Sequence, residues 1–470
     1  MPPIIATGVC ALVILGLFWL DRDQKARTSR ALWLPVVWMS IACSRTVAQW
    51  LQIGEATDSA EQLLEGSPTD RVVYSCLLAI GIVILVRRRK QIGRLLWANG
   101  PIVLVFFYCL VSLLWSDFPA IAFKRWIKAV SDFVMVLIVL SDPEPLDATK
   151  RLLARMTYVL IPLSILLIKY YPELGVGYGP WGGRAFYMGV TTNKNSLGVI
   201  CLCLGLGALW RLIAAYQGQE PTGRIRRMMA QCVILAMVLW LFSVADSMTA
   251  LYSFLMASIL LLATSFRGVL GRPAVVHLLT AAMLAVAISV LFLGISPGAL
   301  EVMGRNATLT DRTELWGRLL SLVQSRLFGT GFESFWLGPR LEKTWSWYWW
   351  HPNEAHNGYL EIFLNLGWTG VALLVVLIAT GYRTVFGAWR NNLSTGNLRL
   401  AYFFVGLVYN FTEAAFFKML APAWLFFLFA IVRVPAASYR KVKVRPPAQN
   451  VFKHRHSVAW EQATLNEKVV

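Results

Sequence analysis

Residues 351–380 read HPNEAHNGYLEIFLNLGWTGVALLVVLIAT, a polar and ionisable cluster that passes directly into a long apolar helix. The cluster contains His351, Glu354, His356 and Asn357. Ionisable groups at the edge of a hydrophobic span are costly unless they are paired or hydrated, so they are typical of functional sites. The stretch therefore predicts a membrane helix whose first turn adjoins a functional site.

The rest of the chain has the composition of a membrane protein. Of its 470 residues, 57% are hydrophobic and 15% are charged, whereas soluble domains carry about 25% charged residues. Many apolar runs approach the roughly 20 residues that cross a bilayer. The sequence predicts an all-α, polytopic transmembrane helical bundle of 13 spans, or 12 if one short pair does not cross. We place these spans at residues 3–20, 31–48, 71–86, 95–115, 126–140, 153–169, 196–215, 229–245, 248–266, 274–295, 358–380, 398–412 and 418–433.

The basic residues indicate the orientation of the bundle. The net charge is +19, from 44 Lys and Arg against 25 Asp and Glu. In a soluble protein this excess would suggest nucleic acid, but here it falls in short connectors such as RRRKQIGR (87–94) and RIRR (224–227). The positive-inside rule places such connectors in the cytoplasm. We therefore expect membrane lipids, and no nucleic acid, as partners.

This orientation defines the predicted domain organisation. The N-terminus and the connectors 170–195 and 296–357 then lie outside, and the C-terminus lies inside. We expect a single transmembrane domain over residues 1–433, with one large outer loop at 296–357 that contains short helices. Residues 434–470 form a basic cytoplasmic tail, which we expect to contact the anionic inner surface of the membrane.

His356 is the main candidate for acid–base chemistry. A neutral imidazole takes a proton from a hydroxyl near neutral pH, and His356 stands where a helix enters the membrane. A structural role is one alternative, and a zinc site that uses His351, Glu354 and His356 is another. The two histidines are five residues apart, which differs from the i, i+4 spacing of helical zinc ligands, and the sequence offers no evident further ligand. We expect neither a metal nor a cofactor.

A first cationic segment precedes the predicted span at 196–215. Gly182 and Gly183 allow a close backbone approach to a ligand. Arg184 and Lys194 add positive charge near a helix N-terminus, where anions bind favourably. The segment predicts a site for a phosphate or diphosphate, with interfacial snorkelling of both side chains as the alternative.

A second cationic candidate lies in TLTDRTELW, residues 308–316. Asp311 and Glu314 fit a capping box that opens a helix, and Leu315 and Leu319 give that helix an apolar face. Arg312 would then lie in the first turn, where a cation opposes the helix dipole. This favours a functional role for Arg312 over a surface ion pair. The aromatic residues of 332–350 are typical of a bilayer interface, with sugar stacking as the alternative.

Several of these motifs together resemble the O-antigen ligase and polysaccharide polymerase superfamily, which are membrane glycosyltransferases with a large periplasmic loop. The resemblance covers residues 180–380 best. The matching features are Arg184, the Thr192–Gly198 entrance (Thr-x-Lys-Asn-x-x-Gly), Asp311-Arg312 with Leu315-Trp316, Gly329-x-Gly331 with Phe335-Trp336, and Ala355–Glu361 followed by Gly367 and Gly370.

The resemblance implies a donor glycan on undecaprenyl diphosphate and a hydroxyl acceptor on a lipid or glycan. Arg184 and Arg312 would hold the diphosphate in place of a metal ion, and His356 would activate or hydrogen-bond the acceptor hydroxyl. These three residues are the expected catalytic set. The expected substrate-binding residues are Lys194, Asn195, Asn357, Tyr359, Glu354 and His351.

One departure from the family concerns the outer turn before residues 248–266. Family members often carry an Arg near that position, whereas this chain reads Asp246-Ser247-Met248-Thr249. Either Lys194 replaces that Arg, or the donor head group is bound differently. The resemblance further implies a multi-pass protein of the bacterial inner membrane with a periplasmic active site, acting as an O-antigen ligase or an exopolysaccharide polymerase.

Two other classes of function stay open from the sequence. A transporter of an anionic solute or lipid-linked glycan would use charged residues within the spans, and Glu413 and Lys418 are the nearest candidates. A non-catalytic scaffold of a polysaccharide export complex would use the basic tail.

Overall fold

The structure is a computed structural model that describes residues 1–22, 28–53, 66–178, 183, 185–218, 223–266, 272–292, 308–391 and 395–435. For residues 290–292 and 308–311 it describes the backbone alone. Almost all regular structure in these ranges is helical, which confirms the predicted all-α class. The helices are α1 (Pro3–Leu20), α2 (Trp33–Ala42), α3 (Val47–Trp50), α4 (Pro68–Arg87), α5 (Arg89–Ala98), α6 (Gly100–Val111), α7 (Pro119–Leu140), α8 (Pro145–Tyr170), α9 (Pro172–Gly175), α10 (Lys194–Tyr216), α11 (Arg224–Ala245), α12 (Met248–Ser265), α13 (Pro273–Phe292), α14 (Thr308–Ser321), α15 (Gly338–Trp347), α16 (Gly358–Arg390), α17 (Gly396–Tyr409) and α18 (Pro422–Ile431).

Seven of the described helices are long and apolar enough to cross a membrane, namely α1, α4, α8, α10, α11, α12 and α16. An eighth is counted if α5 and the segment Gly100–Trp115, which meet at an angle of 87°, form one broken span. This is fewer than the 12 or 13 spans predicted from apolar runs. The difference arises because some runs form short apolar helices, including Pro422–Ile431, and because α7 carries Lys128 and Asp132 within its predicted span.

Helix α10 lies at the centre of the bundle. Its side chains are buried around its whole circumference, and Cys201 and Cys203 are fully buried, as expected of a helix that is apolar on all sides. It packs against α8, α11, α12, α17 and α18. Its first residue, Lys194, therefore stands at the end of the most buried of the seven membrane-length helices described.

Ion pairs between helix ends define one end of the bundle. Arg88, after α4, binds Ser29 and lies 3.8 Å from Asp142, after α7. Arg211 of α10 binds Asp21, at the end of α1, with a separation of 2.6 Å. The carboxylate of Asp21 is largely buried against Arg211. Because successive helices alternate in direction, the N-termini of α10 and α16 lie at the opposite end.

The large loop contains the two predicted short helices, α14 and α15. Helix α14 begins at Thr308, so the predicted capping box at Asp311 was wrong, since Asp311 lies inside the first turn. The predicted apolar face is correct. Leu315 and Leu319 are buried with Phe335 and Trp336 in a small second hydrophobic core. In the preceding connector, Val176–Tyr178 (β1) and Ala185–Tyr187 (β2) form an antiparallel pair.

A break at Gly367 attaches the large loop to helix α16. Gly367 has φ +64°, and a Cβ atom there would lie 2.4 Å from the backbone of Leu327, so glycine is required on both counts. The break leaves backbone groups of α16 available to the loop. Gly331 N donates to Asn365 O at 2.8 Å, and Trp368 N donates to Arg326 O at 2.9 Å. The loop is thus held by backbone hydrogen bonds on either side of Gly367.

Candidate active site

His356 lies between two carboxylates just before α16 begins. Its Nδ1 atom is 3.1 Å from Glu354 Oε1 and 3.3 Å from Glu413 Oε2. The second oxygen of Glu354 accepts from Lys418 Nζ. The side chains of His356, Glu354 and Glu413 are all partly buried. The cluster therefore alternates negative and positive charges from two segments, 354–356 and 413–418.

The backbone around His356 is fixed on both sides. Ala355 N donates to Glu361 Oε2 at 3.0 Å, and Ala355 O accepts from Trp316 Nε1 at 2.8 Å. On the other side, Asn357 accepts from the N–H groups at the start of α16, as an N-cap does. Between these anchors His356 adopts φ +50°, a left-handed conformation that costs a non-glycine residue about 1–3 kcal/mol. The fold thus maintains a strained backbone at this histidine.

Asn410 holds the turn that carries Glu413 and Lys418. Its Oδ1 accepts from Ala415 N and Phe416 N, both at 2.9 Å. Its carbonyl oxygen accepts from Gly358 N at 2.8 Å. Gly358 can approach this closely only because it has no side chain, since a Cβ atom there would lie 2.0 Å from Asn410 Oδ1. The same asparagine therefore shapes the turn and attaches it to the first residue of α16.

The carboxylates decide the protonation state of His356. Burial alone would lower its pKa, but hydrogen bonds and charges from Glu354 and Glu413 outweigh burial and raise the pKa from 6.5 to about 9. Burial alone would raise the pKa of Glu354, but Lys418 and His356 outweigh it and lower that pKa to about 2. Glu354 is therefore ionised at neutral pH and only accepts hydrogen bonds. Nδ1 of His356 must be the donor.

The cluster opens into a cavity of about 360 Å³ that we call the histidine cavity. It is lined by His356, Glu354, Glu413 and Lys418 together with residues 193–196 at the start of α10. The volume is within the range of ligand pockets, about 300–1,000 Å³. Among the described residues, no group hydrogen-bonds to Nε2 of His356, so this nitrogen is available to a ligand.

The predicted residues of the α10 entrance lie beside this cluster. Asn195 Nδ2 donates to Glu413 Oε1 at 3.3 Å. Lys194 Nζ lies 3.1 Å from Asp246 Oδ2, and both side chains are exposed to solvent. Lys194 thus stands at the turn where members of the resembled family often carry an arginine, with Asp246 competing for its charge.

The structure also brings Arg312 to the site. Arg312 Nη1 donates to Thr412 O at 2.9 Å, one residue before Glu413, although Arg312 lies on α14 of the large loop. Arg184 lies outside the described residues. Each of the two predicted cationic segments therefore has one described cation. Lys194, at the start of α10, adjoins Asn195, which contacts Glu413, and Arg312 contacts Thr412, in the turn that carries Glu413.

Three predicted substrate-binding residues make contacts of other kinds. Asn357 caps α16, and Tyr359 Oη donates to Leu407 O at 3.0 Å. His351 stacks on Trp345 with ring centroids 4.7 Å apart and is not part of the His356 cluster. These contacts stabilise the loop and the helix start, and the substrate roles of the three residues stay predictions.

The cluster also has the spacing of a metal site. Glu354, His356 and Glu413 each offer one ligand atom, and these atoms all lie within 4.8 Å of one another. Glu413 is the third ligand that the sequence did not offer, and His351 is not in the group. A divalent cation would compete with Lys418 for Glu354 and with the Nδ1 proton for both carboxylates. The arrangement in place is already neutralised by its own ammonium and imidazolium groups.

Glu413 and Lys418 are the site residues that sequence reasoning assigned elsewhere. They were the nearest candidates for a transporter path, but both contact the His356 cluster. The available signal was their position, since they are isolated charges between two apolar runs, 398–412 and 418–433. Their partners could not be identified from the sequence because Glu413 lies 57 residues from His356.

Two comparisons with known proteins found sequences similar to this chain. Residues 190–375 match the family model described as O-Antigen ligase. The chain is also 24% identical over 329 residues to the exopolysaccharide production protein ExoQ of Rhizobium meliloti (strain 1021), an alignment that covers 66% of this chain and 70% of ExoQ. The membrane-length helices among the described residues indicate a multi-pass membrane protein. The similarity over residues 190–375 agrees with the resemblance to the O-antigen ligase and polysaccharide polymerase superfamily.

Proposed function

We propose that the protein is a glycosyltransferase that moves a glycan from undecaprenyl diphosphate to a hydroxyl acceptor during surface polysaccharide biosynthesis. The observation that carries this proposal is His356, which lines the histidine cavity, and whose Nδ1 donates to two carboxylates while no described residue hydrogen-bonds its Nε2. A carboxylate on one imidazole nitrogen orients the other nitrogen and stabilises the imidazolium that forms when it takes a proton. The deprotonated form of His356, which is the minor form at pH values below its pKa of about 9, would then act as a general base on an acceptor hydroxyl.

In the proposed reaction, the acceptor oxygen attacks the anomeric carbon of the donor sugar. A new C–O glycosidic bond forms, the bond from the anomeric carbon to the diphosphate oxygen breaks, and undecaprenyl diphosphate leaves as an anion. The hydroxyl proton passes to Nε2 of His356. Glu354 and Glu413 balance the positive charge that results.

Cationic residues around the cavity would hold the diphosphate. Arg312 and Lys194 lie near the cluster, and Arg184 is the third expected cation. A hydrogen bond from a charged donor contributes about 1.5–3 kcal/mol, and arginine can grip a phosphate with two parallel bonds. We propose this set in place of a metal ion, with Asn195, Asn357, Tyr359, Glu354 and His351 as further substrate contacts.

The distribution of charge supports an inner-membrane location with the site on the periplasmic face. The basic connectors around Arg88 and Arg211 lie at the end of the bundle opposite His356, and the positive-inside rule places that end in the cytoplasm. On this basis residues 1–433 form one transmembrane domain, with the O-antigen ligase-like region at about 180–380. We propose that residues 434–470, of which 436–470 lie outside the described part of the chain, form a cytoplasmic tail that contacts membrane lipids or a polysaccharide export complex.

Complementation of a deletion strain tests the proposal. Strains carrying the wild type, His356→Ala or Arg312→Ala would be compared by the length and carrier linkage of their surface polysaccharide. His277→Ala, a histidine on α13 outside the cluster, is the matched control, and immunoblots of membranes show that each protein is present.

The outcomes separate the classes of function. Single lipid-linked repeats in the His356→Ala strain identify a polymerase, whereas full-length polymer left on its lipid carrier identifies a ligase. Normal polysaccharide in both site variants would remove the transferase proposal. Flipping of a lipid-linked glycan in proteoliposomes that contain the wild type alone would then favour a transporter.

A further inference from the structure

A second cavity adjoins the histidine cavity. It has a volume of about 570 Å³ and lies between the first turns of α4 and α7 and the turn that follows α17. Four residues line both cavities and lie between the two spaces, namely Glu354, Ala414, Lys418 and Met419. A molecule that extends through both would pass directly beside Glu354 and His356.

Cations of α7 line this cavity on one side. Lys124, Arg125 and Lys128 lie on the first turns of α7, and we call the space the lysine cavity after the two lysines of α7. Arg125 is already engaged, since its Nη1 donates to Glu333 O at 2.7 Å and lies 3.7 Å from Glu333 Oε2. Within the described part of the chain, Lys124 and Lys128 form no ion pair. Lys128 Nζ instead lies 5.8 Å from the centre of the Tyr74 ring.

The carboxylates of the lysine cavity are satisfied by other groups. Glu354 pairs with Lys418, and Glu333 pairs with Arg125. Glu361 accepts from Trp336 Nε1 at 2.6 Å, from Ala355 N at 3.0 Å and from Asn365 Nδ2 at 3.1 Å. The two lysines therefore leave a positive charge in the cavity that its own acidic residues do not neutralise.

Tyr74 provides an independent sign of a ligand. Its side chain lines the lysine cavity and is 5% exposed. Its hydroxyl is buried and has no hydrogen-bond partner among the residues that the structure describes. An unsatisfied buried donor costs about 1–3 kcal/mol, and a ligand oxygen that reached this hydroxyl would remove that cost.

We propose that the lysine cavity binds an anionic group, a phosphate or a carboxylate, on the substrate whose hydroxyl reaches His356. This inference rests on the proposed function, which needs an acceptor next to His356, and it adds where that acceptor is held and what charge it carries. The anion is bound by Lys124, Lys128 and the hydroxyl of Tyr74. A lipid-linked diphosphate and an acidic sugar both offer this chemistry.

Binding of small probes to the purified full-length protein distinguishes these two sources. Inorganic diphosphate represents the lipid-linked acceptor, glucuronic acid represents an acidic sugar, and glucose is the neutral control. Affinities would be measured by calorimetry in neutral nanodiscs for the wild type, Lys124→Gln, Lys128→Gln and Tyr74→Phe. Lys90→Gln, an exposed lysine at the other end of the bundle, is the matched control.

Each of the three variants is expected to weaken binding of the preferred anion about tenfold, the size of one charge-assisted hydrogen bond, while Lys90→Gln leaves it unchanged. Tyr74→Phe is the sharpest of them, because the hydroxyl that it removes has no partner within the described protein. Unchanged affinities in Lys128→Gln and Tyr74→Phe would overturn the inference. So would a wild-type protein that binds neither anion more tightly than glucose.

The two proposals fail in different ways. If His356→Ala blocks glycan transfer while the lysine and tyrosine variants bind and transfer like the wild type, the transferase stands and the anion site is wrong. If the purified wild type transfers no glycan but its anion binding depends on Lys128 and Tyr74, the anion site stands and the transferase is wrong.

Discussion

Glu413 Oε2 lies 3.3 Å from His356 Nδ1, although the two residues belong to different segments on either side of the α16–α17 helical hairpin. Glu354, two residues before His356, contacts the same nitrogen. One carboxylate is therefore local to the histidine in sequence, and the other reaches it only through the fold. This relationship gives Glu413 a positioning role that can be measured through the titration of His356.

Replacing Glu413 with Gln should shift the pH dependence of transfer. If His356 acts as the base, wild-type activity rises about tenfold per pH unit until the pKa of His356, about 9. The substitution removes one of the charges that raise this pKa, so the midpoint should move to lower pH while maximal activity falls. Rates of glycan transfer from pH 6 to 10 check this. A wild-type rate that does not change over this range would exclude the base role.

The His356 cluster should also make stability depend on alkaline pH. The folded pKa of His356, about 9, lies above its ordinary value of 6.5, so its stabilising contribution is complete below 6.5 and is lost as pH rises through 9. We expect a lower melting temperature at pH 9.5 than at pH 6.5, and a smaller difference in His356→Gln. Differential scanning fluorimetry in detergent measures both. Equal pH dependence in the two proteins would contradict the assigned charge state.

The lowered pKa of Glu354 should make folding stability fall at acid pH, the opposite of the dependence expected from His356. Its folded pKa of about 2 lies below the ordinary 4.5, so its contribution is complete above 4.5 and is lost as pH falls from 4.5 towards 2. Melting temperatures from pH 6 to 3 should therefore decline less steeply in Glu354→Gln than in the wild type. An identical decline would show that the ion pairs of Glu354 do not contribute to folding.

Asn357 offers a test that separates helix capping from substrate binding. Its Oδ1 accepts from Tyr359 N at 3.0 Å and from Leu360 N at 3.1 Å. Asn357→Ala should cost about 1 kcal/mol of stability, whereas Asn357→Asp keeps the accepting oxygen and should cost little. Melting temperatures together with KM for the acceptor decide the role. A raised KM in Asn357→Asp with unchanged stability would assign Asn357 to the substrate.

Gly367 should tolerate no side chain. The positive φ alone costs a non-glycine residue about 1–3 kcal/mol, and contact with the Leu327 backbone adds to it. Gly367→Ala should therefore lower the melting temperature and the yield of folded protein. Gly387→Ala is the matched control on the same helix, since its added Cβ meets no atom within 4 Å. Equal stability of the two variants would mean that the loop does not depend on the break.

The features that sequence analysis found are those with local signals. The start of α16 was predicted from the change between the polar cluster of 351–357 and the apolar run of 358–380, and the apolar spacing of Leu315 and Leu319 correctly predicts the buried face of α14. His356 was recognised because an ionisable residue stood at the edge of an apolar helix. In each of these cases the residues that make the pattern are also neighbours in the structure.

The features that it missed depend on distant partners. The ion pair between Asp21 and Arg211 was not predicted, because the two residues are 190 positions apart in the sequence. Glu413 could be seen as an isolated charge, but nothing near it in sequence identifies His356 as its partner. Fewer of the described helices are long and apolar enough to span a membrane than the sequence predicted, because an apolar run does not show the length of its helix, as in the ten-residue helix α18. Long-range contacts and helix breaks are set by packing rather than by local pattern.

The attachment of Gly358 to Asn410 has a consequence for biogenesis. During synthesis His356 emerges well before Glu413 and Lys418, so the charged cluster cannot form until the chain has passed through α16, turned, and returned through α17. Until then Glu354 lacks its lysine and His356 lacks one of its carboxylates. A fragment that ended with the family match at residue 375 would carry the recognisable sequence without a complete site. The His356 cluster is therefore completed late in membrane insertion, when the closing hairpin brings Asn410 onto the start of α16.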